Sequence, residues 1–269
     1  MKFAFLGYNV EKSWIGMSKS ELEAMSDKCF AYMSGLVKDG HVIHDGATLQ
    51  PTCTAKTLRW QNGTVVVTDG PFAETKEQLG GAVVLQARDM DHAVELLSKH
   101  PGLLHGAAFE IRPVNEESLQ CQAASIHALP SSAAAGKPQA IRFASLGYIN
   151  ENGWHTIAKD EFAAMLAQCK QFDEARVKCG QWLTGIGLQS ARIAKTLRVK
   201  AGQLVVTDGP FAETKECLGG IVVLALKDVN DAIESLSKHP ALPFGVVIEI
   251  RPVDERASKR WDDQKKAEK

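Results

Sequence analysis

The sequence predicts an α+β fold made of two copies of one strand-and-helix unit, and two observations carry that prediction. Val67-Thr-Asp-Gly-Pro-Phe-Ala-Glu-Thr-Lys-Glu77 returns letter for letter as Val206–Glu216, 139 residues later, and eleven identical residues in a row mark a duplication. Within each copy, apolar runs and helical patterns follow one another as strand, helix, strands, strand, helix, strand. The repeat extends on both sides of the long match. Lys56–Arg59 returns as Lys195–Arg198, Leu79–Gly81 as Leu218–Gly220, Leu97–Pro101 as Leu236–Pro240 and Glu110–Val114 as Glu249–Val253. Upstream the spacing is 140, pairing Leu6–Tyr8 with Leu146–Tyr148, Trp14 with Trp154, Cys29 with Cys169 and Gly40 with Gly180; a one-residue deletion near Asp45 accounts for the change. Unit A is thus 1–114 and unit B 140–253. The connector 115–139, rich in small residues with Pro and Gly, reads as a mobile linker, and the charged tail 254–269 as a solvated extension.

The elements of one unit follow in order. Phe3–Tyr8 is short, apolar and aromatic, which suits a buried strand, as does its counterpart Ile141–Tyr148. Ser18-Lys-Ser-Glu21 has capping-box spacing. After it Leu22, Met25, Cys29, Met33, Leu36 and Val37 fall on one helical face until Gly40 ends the run. Phe162, Met165, Cys169, Phe172 and Val177 repeat that face before Gly180. Ala55–Trp60 and Thr64–Thr68, joined by Asn62-Gly63, form a hairpin signal. Ala82–Ala87 is a further strand, Asp89–His100 a second helix stopped by Pro101, and Ala107–Val114 a closing strand. This is the split βαβ, ferredoxin-like order, an antiparallel sheet with helices on one face. The other face of such a sheet needs cover, and the second copy supplies it; the two sheets should pack face to face as an intrachain pseudo-dimer with an approximate two-fold axis.

Composition excludes several function classes. The chain has 269 residues, 45% hydrophobic and 23% charged, with a formal net charge of −1, so it lacks the basic field that nucleic acid would require. No apolar run reaches the ~18 to 20 residues of a membrane span, and Met1–Val10 has no signal-peptide pattern, so neither nucleic acid nor membrane is expected as a partner. Six scattered cysteines without a C-x-x-C pair suit free thiols, and a cytoplasmic location is expected. Phosphate loops, nucleophile elbows and H-E-x-x-H are missing from the sequence, and no cofactor or metal is expected.

The string Thr-Asp-Gly-Pro-Phe-Ala-Glu-Thr-Lys-Glu, with Thr-Leu-Arg before it, Leu-Gly-Gly after it and a final Glu-Ile-Arg-Pro-Val, closely resembles the DGPF proteins of the YCII-related family, over nearly the whole of both copies. The resemblance implies a dimeric α+β barrel of ferredoxin-like units and a biochemical function that the family leaves mostly unassigned. It also implies an association with extracytoplasmic-type sigma factors, and hence a regulatory alternative. Better-studied members are proposed to use a His on the first helix with an Asp near the second. Those positions fall on Cys29 and Cys169, and on His100 and His239, in this sequence, so the His/Asp pair is replaced.

Several candidate sites follow from the residues. The repeated loop gathers Asp69, Glu74, Lys76 and Glu77 in nine residues, with Asp208, Glu213 and Lys215 in the second copy. In one reading Asp69 and Asp208 move a proton on a small organic molecule, isomerase- or lyase-like, with Lys76 and Lys215 stabilising charge and Glu74 and Glu213 binding. In the other, Asp caps its own turn, Gly and Pro set the backbone and Phe72 plugs the core. Cys29 and Cys169 are either core residues or partners of His100 and His239, which otherwise cap a helix end as cations. Tyr8, Trp14, Tyr148 and Trp154 either wall a pocket or pack in the core. Metal ligation by the histidines is not expected, for want of neighbouring ligands at suitable spacing. The ligand itself stays unspecified, and the sequence leaves further oligomerisation open.

Overall fold

The computed structural model describes residues 1–11, 17–73, 77–115, 140–154, 156–211, 214–257 and 259–260, with the side chains of 43–46 excepted. The connector 116–139 and the end of the tail lie outside them. Unit A comprises β1 (Lys2–Asn9), α1 (Lys19–Lys38), β2 (Val42–Thr48), β3 (Lys56–Gln61), β4 (Thr64–Asp69), β5 (Gln78–Gln86), α2 (Met90–Ser98) and β6 (Ala108–Pro113). Unit B repeats it with β7 (Ile141–Ile149), a short α3 (Glu151–Trp154), α4 (Lys159–Lys178), β8 (Trp182–Gly187), β9 (Lys195–Lys200), β10 (Gln203–Asp208), β11 (Cys217–Leu226), α5 (Val229–Leu236) and β12 (Val247–Pro252).

The helix starts follow their capping residues. Ser18 accepts from the Glu21 amide while Glu21 returns to the Ser18 amide, the full capping box. Asp89 and Asp228 cap α2 and α5 through their side chains. The strand β2 is an addition to the elements read from the sequence. Its middle, His44-Asp45-Gly46, breaks the apolar alternation, and its pairing with β5 shifts register on both sides of His44. The extra residue of copy A lies here, and β8, which lacks it, shows a single shift against β11.

The strands form two six-stranded antiparallel sheets, ordered β10-β9-β6-β1-β5-β2 and β4-β3-β12-β7-β11-β8. Each sheet therefore carries a hairpin from the other unit. Phe109 pairs with Leu197 and Ile111 with Lys195, while Ile248 pairs with Leu58 and Ile250 with Lys56. The sheets face each other across one core that includes Leu6, Val84 and Leu79 from unit A with Leu146, Ile221 and Val223 from unit B. Bridges between Leu49 and Val253 and between Val114 and Leu188 tie the remaining edges, so the intrachain dimeric α+β barrel is closed by both copies. Two further clusters lie under the helices, and each includes a leucine of the exchanged hairpin, Leu197 in one and Leu58 in the other.

The second glycine of each Leu-Gly-Gly lets neighbouring backbones approach. A Cβ on Gly81 would stand 2.8 Å from the Ala47 carbonyl oxygen, and one on Gly220 3.0 Å from that of Ile186.

The exchange makes a direct prediction. A fragment covering residues 1–118 keeps β3–β4 but loses β12, its pairing partner. It should assemble as a homodimer that swaps this hairpin reciprocally, at twice the fragment mass by light scattering. A stable folded monomer would contradict the exchange.

Candidate functional site

The repeated loop is the first place to look, and its chemistry is that of a junction. Gly70 and Gly209 take φ of +94° and +95°, values that Gly adopts without a Cβ penalty, and turn the chain into Pro and Phe. The turn is held when Thr57 Oγ1 donates to the Gly70 carbonyl at 2.8 Å, and Thr196 Oγ1 to that of Gly209 at 2.9 Å. Each Phe then crosses to the other unit. The Phe72 amide donates to Glu249 Oε2 and the Phe211 amide to Glu110 Oε2, both at 2.9 Å.

Those glutamates are 1% exposed, as are the arginines beside them. Arg112 Nε donates to Glu110 Oε1 at 2.7 Å and Arg251 Nε to Glu249 Oε1 at 2.9 Å; the same guanidinium groups donate to the carbonyls of Leu218 and Leu79 across the interface. Tyr8 stacks on Phe211 at 4.0 Å and Tyr148 on Phe72 at 4.2 Å, with Arg198 and Arg59 over the far ring faces. Burial, with Glu110 beside Tyr8 and Glu249 beside Tyr148, raises both phenols above their ordinary range. The space left between these groups is about 50 Å³, enough for a few water molecules and too small for a metabolite.

The loop aspartates stand outside this centre. The Asp69 and Asp208 side chains are 87% and 84% exposed and form ion pairs with Lys56 and Lys195 on the neighbouring strand. They line neither the small central space nor the larger cavity described below. The proton-transfer reading needed a carboxylate beside a cavity, and the extended ends of β4 and β10 instead hold Asp69 and Asp208 at the surface. Lys215 is exposed as well, while Glu74, Lys76 and Glu213 lie outside the described residues.

The larger cavity, about 730 Å³, lies between the sheet of unit A and α1. The first half of α1 turns Leu22, Met25 and Cys29 toward it, and these side chains stay half-buried, whereas Met33 and Leu36 farther along are buried in the core. Phe5, Phe30 and Phe109 supply aromatic walls. At the inner side sits His100, 8% exposed, ringed by Phe5, Tyr32 and Phe109 at centroid distances of 5.9, 5.4 and 4.9 Å.

His100 Nδ1 accepts from the Gly102 amide at 3.1 Å, and the same amide lies against the Cys29 thiol and favours its anion. The two positions that the family resemblance singled out thus lie against one backbone amide. Unit B repeats the arrangement with His239, the Ala241 amide at 3.2 Å and Cys169. Burial dominates all four groups: both imidazoles are pushed down to about 4, the Cys29 thiol upward and the Cys169 thiol up to about 11. The histidines thus correct the cationic-cap expectation, because each caps the turn after the helix as a neutral ring, with its proton on Nε2. Asp173, beside Cys169 in unit B, is pushed up to about 7 by burial, which Arg176 opposes.

The tail corrects another expectation. Instead of fraying, its described part returns to unit A: the Asp254 amide donates to the Thr48 carbonyl at 2.8 Å, and Arg260 pairs with Asp27 and lies 4.4 Å over the Phe30 ring. Asp254, Arg256, Ala257 and Arg260 line the cavity mouth.

Three positions of unit A carry bulkier residues in unit B, two of them in the cavity lining, whereas the aromatic walls Phe5 and Phe109 become the smaller Ser145 and Ile248. Asn9 is replaced by Ile149, Leu22 by Phe162 and Val42 by Trp182, and all three join the unit B core with Trp154. Trp154 packs edge-on to Phe162 at 5.4 Å, so it fills space; Trp14 lies outside the described residues. Among the described residues no group of His, Cys, Asp and Glu is arranged to hold a metal ion.

The depressed pKa of His100 sets a pH dependence. Between pH 6.5 and about 4 the unfolded chain binds more protons at this residue than the folded one, so stability is lost as pH falls through that window. The loss amounts to about 3 kcal/mol when the window is crossed completely. His100→Asn keeps an acceptor for the Gly102 amide without the titration. Urea unfolding at pH 7 and pH 4 should show the wild type losing about 3 kcal/mol relative to this variant. An equal loss in both would contradict the buried neutral ring.

Comparison with known proteins agrees with the repeat. A profile of the YCII-related domain matches residues 1–118 and again 141–255. An uncharacterized protein of Rhizobium meliloti (strain 1021) is 36% identical over 118 residues, 42% of this chain and 92% of that protein. Similar solved structures include a dye-decolorizing peroxidase from Bacteroides thetaiotaomicron, 9% identical with a TM-score of 0.45 and covering 97% of this chain and 95% of that one. Another is a heme-binding protein from Thermus thermophilus, 9% identical with a TM-score of 0.42, covering 97% and 94%. With both halves matched over nearly their full length, the chain belongs to the YCII-related domain family, as two tandem copies of its unit.

Proposed function

We propose that this protein binds a small molecule in the unit A cavity, with Cys29 and His100 as the polar groups at its inner side. One observation carries the reading: a cavity of about 730 Å³, apolar in most of its lining, in which two side chains and one backbone amide converge. That volume falls within the ~300 to 1,000 Å³ of ordinary ligand pockets, which pair apolar walls with a few placed polar groups. The DGPF loops serve the assembly of the two units, and the working groups are those of the helix side.

His100 acts there as a hydrogen-bond donor. Its Nδ1 lone pair is taken by the Gly102 amide, so the ring offers Nε2–H to an oxygen on the ligand, and with its pKa near 4 it stays neutral at physiological pH. The Cys29 thiol, raised by burial, is held in its protonated form at neutral pH. Together they suit holding or polarising a carbonyl-type oxygen. The unpaired thiols Cys29, Cys53, Cys169, Cys179 and Cys217 suit a reducing cytoplasm, and no helix among the described residues is long and apolar enough to cross a membrane.

The test transplants unit B's filling into unit A. Asn9→Ile with Leu22→Phe should leave the protein folded by circular dichroism and abolish the ligand-dependent rise in Tm that a metabolite thermal-shift screen finds for the wild type. The corresponding surface control, Asp69→Asn with Asp208→Asn, should leave that rise intact. Ligand stabilisation that survives in the filled variant would overturn the assignment.

A further inference from the structure

Resting on the cavity assignment above, we infer that the ligand is a neutral, largely aromatic molecule whose carbonyl or similar acceptor oxygen points inward to His100 Nε2–H. Three features of the cavity argue for this class.

The first is the donor and acceptor balance of the inner side. His100 accepts once, through Nδ1, and that acceptor is already used by Gly102; among the described residues the ring makes no other hydrogen bond. What remains to the ligand is a donor at Nε2, joined by the S–H of Cys29, so an oxygen acceptor satisfies the site and a ligand donor would face another donor.

The second is charge. Among the described residues of the lining, the neutral His100 is the one buried titratable side chain, and the thiol Cys29 is half-buried. An ionised ligand group buried there would lose hydration without gaining a counter-charge. The charged lining is exposed or half-exposed and of both signs: Lys19 and Glu23 are 3.8 Å apart, Arg260 is paired with Asp27, and Asp254, Arg256 and the exposed His105 complete it.

The third is shape. Phe5 and Phe109 meet edge to face at 4.7 Å, and Phe30 is covered on one face by the Arg260 guanidinium. Flat rings of this kind favour a flat π-surface as guest, with the half-buried Met25 adapting to its outline.

The experiment compares three probes of one skeleton on the full-length protein by isothermal titration calorimetry: 2-acetylnaphthalene, 2-ethylnaphthalene and 2-naphthoate. Partition out of water alone favours 2-ethylnaphthalene, so a preference for the ketone isolates the hydrogen bond. The expected order is 2-acetylnaphthalene tightest, by about fivefold or more over 2-ethylnaphthalene, which matches one net hydrogen bond, and 2-naphthoate weakest. In His100→Phe the ketone's advantage should vanish; should that variant not fold, the ranking on the wild type decides alone. Equal or tighter binding of 2-ethylnaphthalene, or tightest binding of 2-naphthoate, would overturn the ligand class while leaving the cavity as a binding site. Binding of none of the three would overturn the cavity assignment with it.

Discussion

Two buried carboxylates, Glu110 and Glu249, hold the molecule together. Each is 1% exposed, is neutralised by an arginine two residues along its own strand, and spends its remaining oxygen on an amide from the opposite unit. A buried ion pair of this kind is secure only while every partner is present, since removal of one leaves an uncompensated charge at a cost of roughly 3–5 kcal/mol. The Phe72 and Phe211 amides reach their acceptors only when β3–β4 and β9–β10 lie on the other unit's sheet. The exchanged hairpins, the stacked Tyr–Phe pairs and the closed barrel all follow from that requirement.

The same requirement explains which parts of the two copies are identical. Glu-Ile-Arg-Pro-Val and Asp-Gly-Pro-Phe are the two halves of one contact, each in a different unit, so a change in either string must suit a partner elsewhere in the chain. The first helices carry no such obligation. Leu22 and Asn9 border the space beneath α1, while their counterparts Phe162 and Ile149 pack against the core beneath α4. One unit thus keeps a cavity with a Cys–His pair at its inner side, and the other keeps the pair with a packed helix above it.

Much of the fold was legible because the repeat, the capping box at Ser18 and Glu21, and the alternation of apolar runs are local signals. The strand β2 was not, since His44-Asp45-Gly46 interrupts its pattern and only pairing with β5 reveals it. Hairpin exchange also leaves no local mark: Lys56–Asp69 and Lys195–Asp208 make the same hairpins on either sheet, and the choice is decided by Glu249, 177 residues from Phe72, and by Glu110, 101 residues from Phe211. For the site, the loop's polar density drew attention to Asp69, yet charged residues at the end of a strand are equally suited to solvent. The stronger signal was the apolar stripe Leu22, Met25 and Cys29. It is as long as a core-packing face but half-exposed in the fold, because the space it covers is a cavity. The return of the tail onto Phe30 and Asp27 depended on contacts between distant residues that charge patterning does not encode.

Amide hydrogen exchange at Phe72 and Phe211 reads the contacts to the two buried carboxylates themselves. Both residues sit in surface-reaching loops, where an amide without a partner exchanges quickly, whereas an amide bound to a buried carboxylate opens only with large-scale unfolding. Both amides should be protected nearly as well as those of the core strands, with selective loss at Phe72 in Glu249→Gln and at Phe211 in Glu110→Gln. Rapid exchange of either amide in the wild type, or the same protection pattern in both variants, would contradict those contacts.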